Sequence, residues 1–303
     1  MRNNESTIIE FIQSKLRKSS DTLLPHPEDA VGISIGGNNL VINIDGWVES
    51  TDRLPGMNLE ACGYRAVINA ASDIVAKGAV PQWMLVSLSI PEHIVDHHEE
   101  IINGIVKASE NYNIQYLGGD INSATDIIID VVVLGIAKNL IQRSTARVNQ
   151  KVYWLGPELG INSASIQILL NKIRGNKTIA LNVVSLPYLN MTFLDISAKS
   201  SIDCSDGLAI SLSHLMKSSK VGFEIYDFKN QNINKWVEQV ASDNNIEISD
   251  LIFYGGEELG IIFTLDENDP TPLNAIEIGR VIEEKNIMYR GKIIEPKGWQ
   301  HFQ

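Results

Sequence analysis

Residues 201–208 read Ser-Ile-Asp-Cys-Ser-Asp-Gly-Leu, with Asp203 and Asp206 three apart, Ser205 between them and Gly207 behind. From Leu208 to Lys217 apolar residues recur at helical spacing. Ser205 or Asp206 is therefore expected at a helix N-cap. A helix N-terminus offers free N–H groups and a partial positive charge, which suit phosphate. The two carboxylates would repel a phosphate unless a cation lay between. Acid, hydroxyl, glycine and helix start together point to a metal–phosphate site; the plainer reading is an ordinary cap with a solvated neighbour.

Other acids stand at comparable places. Pro25–Asp29 is a proline-stiffened loop ending in Glu28 and Asp29. Leu40–Asp45 reads as a strand that delivers Asp45 to the rim of a sheet. Asn58–Lys77 reads as a long helix stopped at Gly78. Within it Asp73 follows Asn69 by one turn, among nearly uncharged neighbours. Gln115–Asp120 is a strand running into Gly118-Gly119-Asp120, where two glycines allow close approach of a ligand. Ile127–Ala137 is β-branched and reads as a central strand. Arg143 follows it, placed to reach back to a phosphate. A second glycine–acid loop, Tyr254–Glu258, leads into the strand Leu259–Thr264. Lys151–Leu155, Phe223–Phe228, Ile276–Ile282 and Ile287–Ile294 are further strands, and Ile233–Ala241 a helix. Thr7–Lys18 reads as an amphipathic helix with Thr7 and Glu10 as a capping box. His93, His97 and His98 lie on a face marked as solvated by Asp96, Glu99 and Glu100.

If Asp29, Asp45, Asp73, Asp120, Asp203 and Asp206 converge, their repulsion is large. Two carboxylates about 4 Å apart cost on the order of 4 kcal/mol at an effective dielectric near 20. Hard divalent cations remove that cost, and all-oxygen ligation favours Mg²⁺ over zinc or copper. Mg²⁺ on carboxylates usually also binds substrate phosphates, and phosphoryl transfer asks for positioning and charge neutralisation. The Gly-x-x-x-x-Gly-Lys-Ser/Thr loop and the protein-kinase signatures are both missing. The residues thus suggest an ATP-using enzyme of another design.

The 303 residues allow two domains, placed at 1–144 and 145–303 by the change of character near residue 145. A formal net charge of −12 without a dense basic block argues against nucleic acid or anionic membrane as partners. No apolar run approaches the roughly 20 residues of a membrane span, and the polar N-terminus does not resemble a signal peptide. Cys62 and Cys204 form no zinc or disulfide pattern, so a reducing cytoplasm is expected, with Cys204 a small filler.

The motifs together resemble the thiamine-monophosphate kinase family, within the superfamily of aminoimidazole ribonucleotide synthetase, selenophosphate synthetase and the hydrogenase-maturation dehydratase. The resemblance rests on Glu28-Asp29-Ala30, Ile44-Asp45, Asn69–Asp73 with Lys77-Gly78-Ala79, and Leu117–Asp120. It continues through Arg143-Ser144, Ile202–Leu208, Gly255–Glu258 and the terminal Gly298–Phe302. It implies an α+β, two-domain aminoimidazole ribonucleotide synthetase-like fold, in a homodimer whose N-terminal sheets pair. It implies transfer of the ATP γ-phosphoryl group, directly and in line with Mg²⁺, to thiamine monophosphate. On matching positions Asp29, Asp45, Asp73, Asp120, Asp203 and Asp206, with the Ile44 backbone, would ligate metal. Gly119, Asp120, Arg143 and Ser205 would contact ATP, with Asp120, Arg143 and Asp206 central to transfer. Glu257 and Trp299 would hold thiamine, and Asp52 stands where the family places a substrate-contacting histidine. Pro27-Glu28-Asp29 departs from the family's Gly-Asp-Asp, and Glu257-Glu258-Leu259-Gly260 from its Glu-Asp-Tyr-Glu. Two alternatives stay open: a superfamily relative acting on another substrate, and a non-catalytic nucleotide-binding protein.

Overall fold

The computed structural model describes residues 5–17, 19–24, 26–228 and 233–298. In chain order the first half comprises α1 (Glu5–Lys15), β1 (Val31–Ile35), β2 (Asn38–Val48), α2 (Glu49–Asp52) and α3 (Leu59–Ala76). It goes on through β3 (Ala79–Ile90), α4 (His98–Tyr112), β4 (Gln115–Ser123) and β5 (Ile128–Ala137). These strands form one sheet in the order β1-β2-β5-β3-β4, antiparallel except for the β3–β4 edge pair. The second half comprises β6 (Lys151–Leu155), α5 (Ile161–Leu169), α6 (Lys177–Ser185), β7 (Ser200–Cys204), α7 (Leu208–Ser219) and β8 (Gly222–Ile225). It closes with α8 (Lys235–Asp243), α9 (Ile248–Tyr254), β9 (Gly260–Leu265), β10 (Ile276–Ile282), β11 (Ile287–Tyr289) and β12 (Lys292–Ile293). Its sheet runs β12-β11-β8-β10-β6-β9-β7. The fold is thus α+β, with the change of sheet falling between β5 and β6.

The helix α3 organises the molecule. Asn58 caps it by accepting the Ala61 N–H at 2.8 Å, and the chain leaves it through Gly78 at a φ of +76°. Its residues are apolar and small nearly all round, the pattern of a helix buried on every side. One side covers the inner face of the first sheet, where Val41, Trp47, Val131 and Val133 are buried. Another crosses α4 so closely that a Cβ on Gly63 would lie 2.1 Å from the Ile101 carbonyl oxygen, so only glycine fits there. The C-terminal end of α3 meets β7: the Ser201 hydroxyl donates to the Ala76 carbonyl.

Strand alternation sorts the second sheet into two buried faces. Tyr153, Leu155, Ile261 and Phe263 join the core shared with α3. Val152, Trp154, Ile202, Cys204 and Ile262 pack with Leu208, Leu212 and Leu215 of α7. In β7 this alternation leaves Ser201 and Asp203 on the α3 side.

Three expectations are corrected. The N-cap of α7 is Gly207, at a φ of +111°, and not Ser205 or Asp206. A Cβ on Gly207 would lie 2.5 Å from the Gly255 carbonyl oxygen, so this backbone is pressed against the second glycine loop. Asp45 does not end its strand: β2 pairs with β5 as far as Val48–Ile128, which sets Asp45 within the sheet opposite Val131. Thr7 lies inside α1, which begins at Glu5, and is not its cap.

Candidate active site

Three distant stretches bring Asp29, Asp73 and Asp203 together, one carboxylate oxygen of each lying within 4.8 Å of the others. Each is aimed by its element. Asp203 projects from β7 toward α3 because Ser201, two residues back on the same face, docks on the end of that helix. Asp73 stands one turn before Lys77 on α3 and accepts the Asn43 Nδ2–H at 2.6 Å. Asn43 and Asp45 alternate onto the inner face of β2, so Asp45 enters from the sheet. Asp29 ends the loop before β1 and pairs with Lys77 Nζ at 2.7 Å and with the Arg143 guanidinium.

The electrostatics are those of crowded acid. Burial pushes Asp45 up to about 7, with Glu257, Asp203 and Asp52 adding to the shift. Asp73 is held well above the usual carboxylate range, first by burial and then by Asp203 and Asp45. Burial pulls Arg143 below its ordinary range although Asp203, Glu28 and Asp206 oppose it. A donor set of converging oxygens, too acidic to be charged together unaided, fits a hard divalent cation.

Around this centre Glu28 accepts the Arg143 backbone N–H at 2.9 Å and the Lys77 ammonium at 2.8 Å. Arg65, buried on α3, pairs with Glu257 and also donates to the Val184 carbonyl at the end of α6. It thereby fixes the second glycine loop, where Glu257 has a φ of +63°. Asp52 accepts the Val48 N–H at 2.7 Å, close to Asp45. Ser205 and Asp206 lie in the loop before α7, and Gly298 packs against the Asp206 carbonyl. Trp299 lies outside the described residues.

Asp120 is the exception to convergence. It pairs in register with Ser87, which faces Asp130, which in turn faces Gly46. Asp45, one residue earlier, lies on the other side of the sheet. Period-2 alternation therefore sets Asp120 on the outer face, exposed and accepting the Asn122 amide at 2.9 Å. Gly119 is exposed beside it on the same edge strand, and the Ile44 side chain also points outward. Sequence reasoning assigned no site role to Arg65, Lys77 or Asn43. An arginine inside the apolar run Tyr64–Val67 was a usable signal; Lys77 before Gly78 reads as an ordinary cation at a helix C-terminus.

Residues 27–137 match the family model AIRS, described as AIR synthase related protein, N-terminal domain. The thiamine-monophosphate kinase of Nitrosopumilus maritimus is 30% identical over 99% of this chain and 99% of its own length. The chain belongs to the thiamine-monophosphate kinase family. Another family member, from Aquifex aeolicus, is 30% identical over 91% of this chain and 92% of its own. A solved structure of AaThiL complexed with AMPPCP and TMP matches with a TM-score of 0.90 at 27% identity, covering 100% of this chain and 99% of that one. The kinase family's fold thus extends over the whole chain, both sheets included. Among the described residues no helix is long and apolar enough to cross a membrane.

Proposed function

We propose that this chain is an ATP- and Mg²⁺-dependent kinase that converts thiamine monophosphate to thiamine diphosphate, releasing ADP. The observation that carries the reading is the meeting of Asp29, Asp73 and Asp203 in a chain similar over its full length to thiamine-monophosphate kinases. Asp29, Asp45, Asp73 and Asp203 enclose the metal site, and Asp206 lies at its α7 end. Bound Mg²⁺ would neutralise the phosphate oxygens and order the triphosphate for in-line transfer.

The protein's own groups do the rest. The free amides at the start of α7, beside Ser205, face phosphate. Arg143, anchored by Asp29 and by Glu28 through its backbone N–H, presents a cation at the same place. Gly119 and Asp120 on the edge strand belong to the nucleotide side. Glu257, oriented by Arg65, is assigned to the thiamine aminopyrimidine, with Asp52 beside it and Trp299 contributing an aromatic face to the cationic thiazolium. The acceptor phosphate is already ionised near neutral pH, its second pKa being about 6. The transfer therefore needs no general base.

We further infer a homodimer built on the outer face of the first sheet, with domains at 1–144 and 145–303. That face is apolar and uncovered: Ile44 is 66% exposed, Val80 42% and Leu85 38%, with Val132 and Ile136 paired beside them. Contiguous exposed apolar surface of this kind marks an association site. The free, buried cysteines Cys62 and Cys204 agree with a reducing cytoplasm.

Two measurements test this. Purified protein with ATP, Mg²⁺ and thiamine monophosphate should give ADP and thiamine diphosphate in equal amounts; ATP binding without turnover would turn the reading toward another superfamily substrate. Leu85→Glu, which places one charge per subunit on the outer face, should shift the protein from dimer to monomer in light scattering. The expected weakening is about 10²–10³-fold or more, since each buried unpaired charge costs several kcal/mol.

A further inference from the structure

A metal reading of the acid cleft treats each carboxylate as a ligand, yet the Asp29 side already holds positive charge. Lys77 Nζ lies 2.7 Å from Asp29 Oδ2, 2.8 Å from Glu28 Oε2 and 3.1 Å from the Ser201 carbonyl oxygen. The ammonium donates hydrogen bonds to Glu28 and to the Ser201 carbonyl and faces Asp29 as its ion-pair partner. Arg143 pairs with the other oxygen of Asp29. Lys77 itself is 0% exposed, and the Glu28 and Asp29 side chains are 3% and 1% exposed, so water cannot replace these contacts.

We infer that Lys77 is a resident cation that, with Arg143, neutralises Glu28 and Asp29 where a divalent ion would otherwise be required, leaving Asp45, Asp73 and Asp203 to carry the metal. This rests on the metal-dependent kinase reading and refines it. Lys77 is delivered by the end of α3: its backbone N–H continues the helix ladder to the Asp73 and Ile74 carbonyls. Its charge therefore stays in place at any Mg²⁺ concentration. Fully buried against Glu28 and Asp29, Lys77 is a positioning residue and not a phosphate ligand. It keeps one wall of the cleft neutral and assembled while the opposite wall, Asp73 with Asp203 and Asp45, waits for the ion.

Asp29 also lies within sharing distance of Asp73 and Asp203, so the two arrangements must be separated by counting ions. The probe is Mn²⁺, titrated in the presence of AMPPCP, with free Mn²⁺ read by electron paramagnetic resonance. Asp29→Asn should keep the wild-type number of bound ions. Lys77→Met should bind one more per chain, because Glu28 and Asp29 then lose the ammonium and share Arg143 as their remaining cation, and its melting temperature should rise more steeply with Mn²⁺ than that of the wild type. Loss of an ion in Asp29→Asn, or an unchanged count in folded Lys77→Met, overturns the inference. If Lys77→Met does not fold, the Asp29→Asn count decides alone. Neither count depends on turnover. A protein that shows the expected counts but does not phosphorylate thiamine monophosphate would sink the kinase reading and leave this one standing.

Discussion

Asp73→Asn should lower the rate of thiamine diphosphate formation by about 10²–10³-fold or more while making the metal-free protein more stable. The two effects share a cause. In the metal-free cleft Asp73 sits against Asp203 and Asp45, and the charge on Asp73 and on Asp45 is opposed by burial and by the neighbouring carboxylates. Asparagine keeps the shape and still accepts the Asn43 amide through its carbonyl oxygen, but it removes one charge. Coulomb energies of about 4 kcal/mol for a pair at 4 Å and an effective dielectric of 20 set the upper scale. After relaxation a gain of about 1–2 kcal/mol corresponds to a few degrees in melting temperature. The catalytic loss follows because removing a single preorganised electrostatic partner commonly costs about 10²–10³-fold in rate. Adding Mg²⁺ should raise the melting temperature of the wild type and do so much less in the variant. A variant that keeps both its Mg²⁺-dependent stabilisation and its turnover would remove Asp73 from the metal set.

Much of this architecture was legible in the chain. The alanine-rich helix bounded by Asn58 and Gly78, the β-branched strand β5, and β6 and β10 are all local patterns, and the structure has them where they read. The acids on α3 and β7 were also legible as candidates, because an aspartate in uncharged company stands out without any knowledge of its neighbours. What escaped was set by register and by contacts between distant segments. Asp45 and Asp120 both looked like strand ends. Only the pairing of β2, β5, β3 and β4 reveals that one faces α3 and the other faces away. Lys77 looked like a helix-terminal cation because its partners, Glu28, Asp29 and Ser201, lie 49, 48 and 124 positions away. The start of α7 was misread for a related reason: Gly207 is fixed by the approach of Gly255, a contact no local propensity encodes. The helices α6 and α9 went unread because neither carries a long apolar period.

The buried acid of the second glycine loop offers a test of a different kind, on stability alone. Glu258 is 2% exposed and accepts the Ser163 N–H at 3.1 Å, in the first turn of α5. Its second carboxylate oxygen is buried without a hydrogen-bond partner. Burial pushes it up to about 8, against the lowering effect of the Ser163, Asn162 and Gly160 N–H groups. Because the folded value is raised, the folded state binds the proton more tightly than the unfolded chain does. Its contribution is fully present below about 4.5 and is lost as pH rises through about 8. Glu258→Gln resembles the protonated acid: its carbonyl oxygen takes the Ser163 N–H and its amide fills the place of the second oxygen, with nothing to ionise. The variant should therefore match the wild type near pH 4.5 and pull ahead progressively up to pH 8, by about 2–5 kcal/mol from the size of the shift at 1.36 kcal/mol per pH unit. Taking the difference between the two proteins at each pH matters, because other groups titrate in the same window with the opposite sign. Burial, helped by Arg143, pulls His214 down to about 4, which makes the fold gain stability as pH rises toward 6.5. That slope is common to both proteins and cancels. Urea unfolding of wild type and Glu258→Gln from pH 4.5 to 8.5 reads the effect directly. A constant difference across that range would mean that Glu258 is ionised throughout and stabilised by the start of α5, so that the helix amides outweigh its burial.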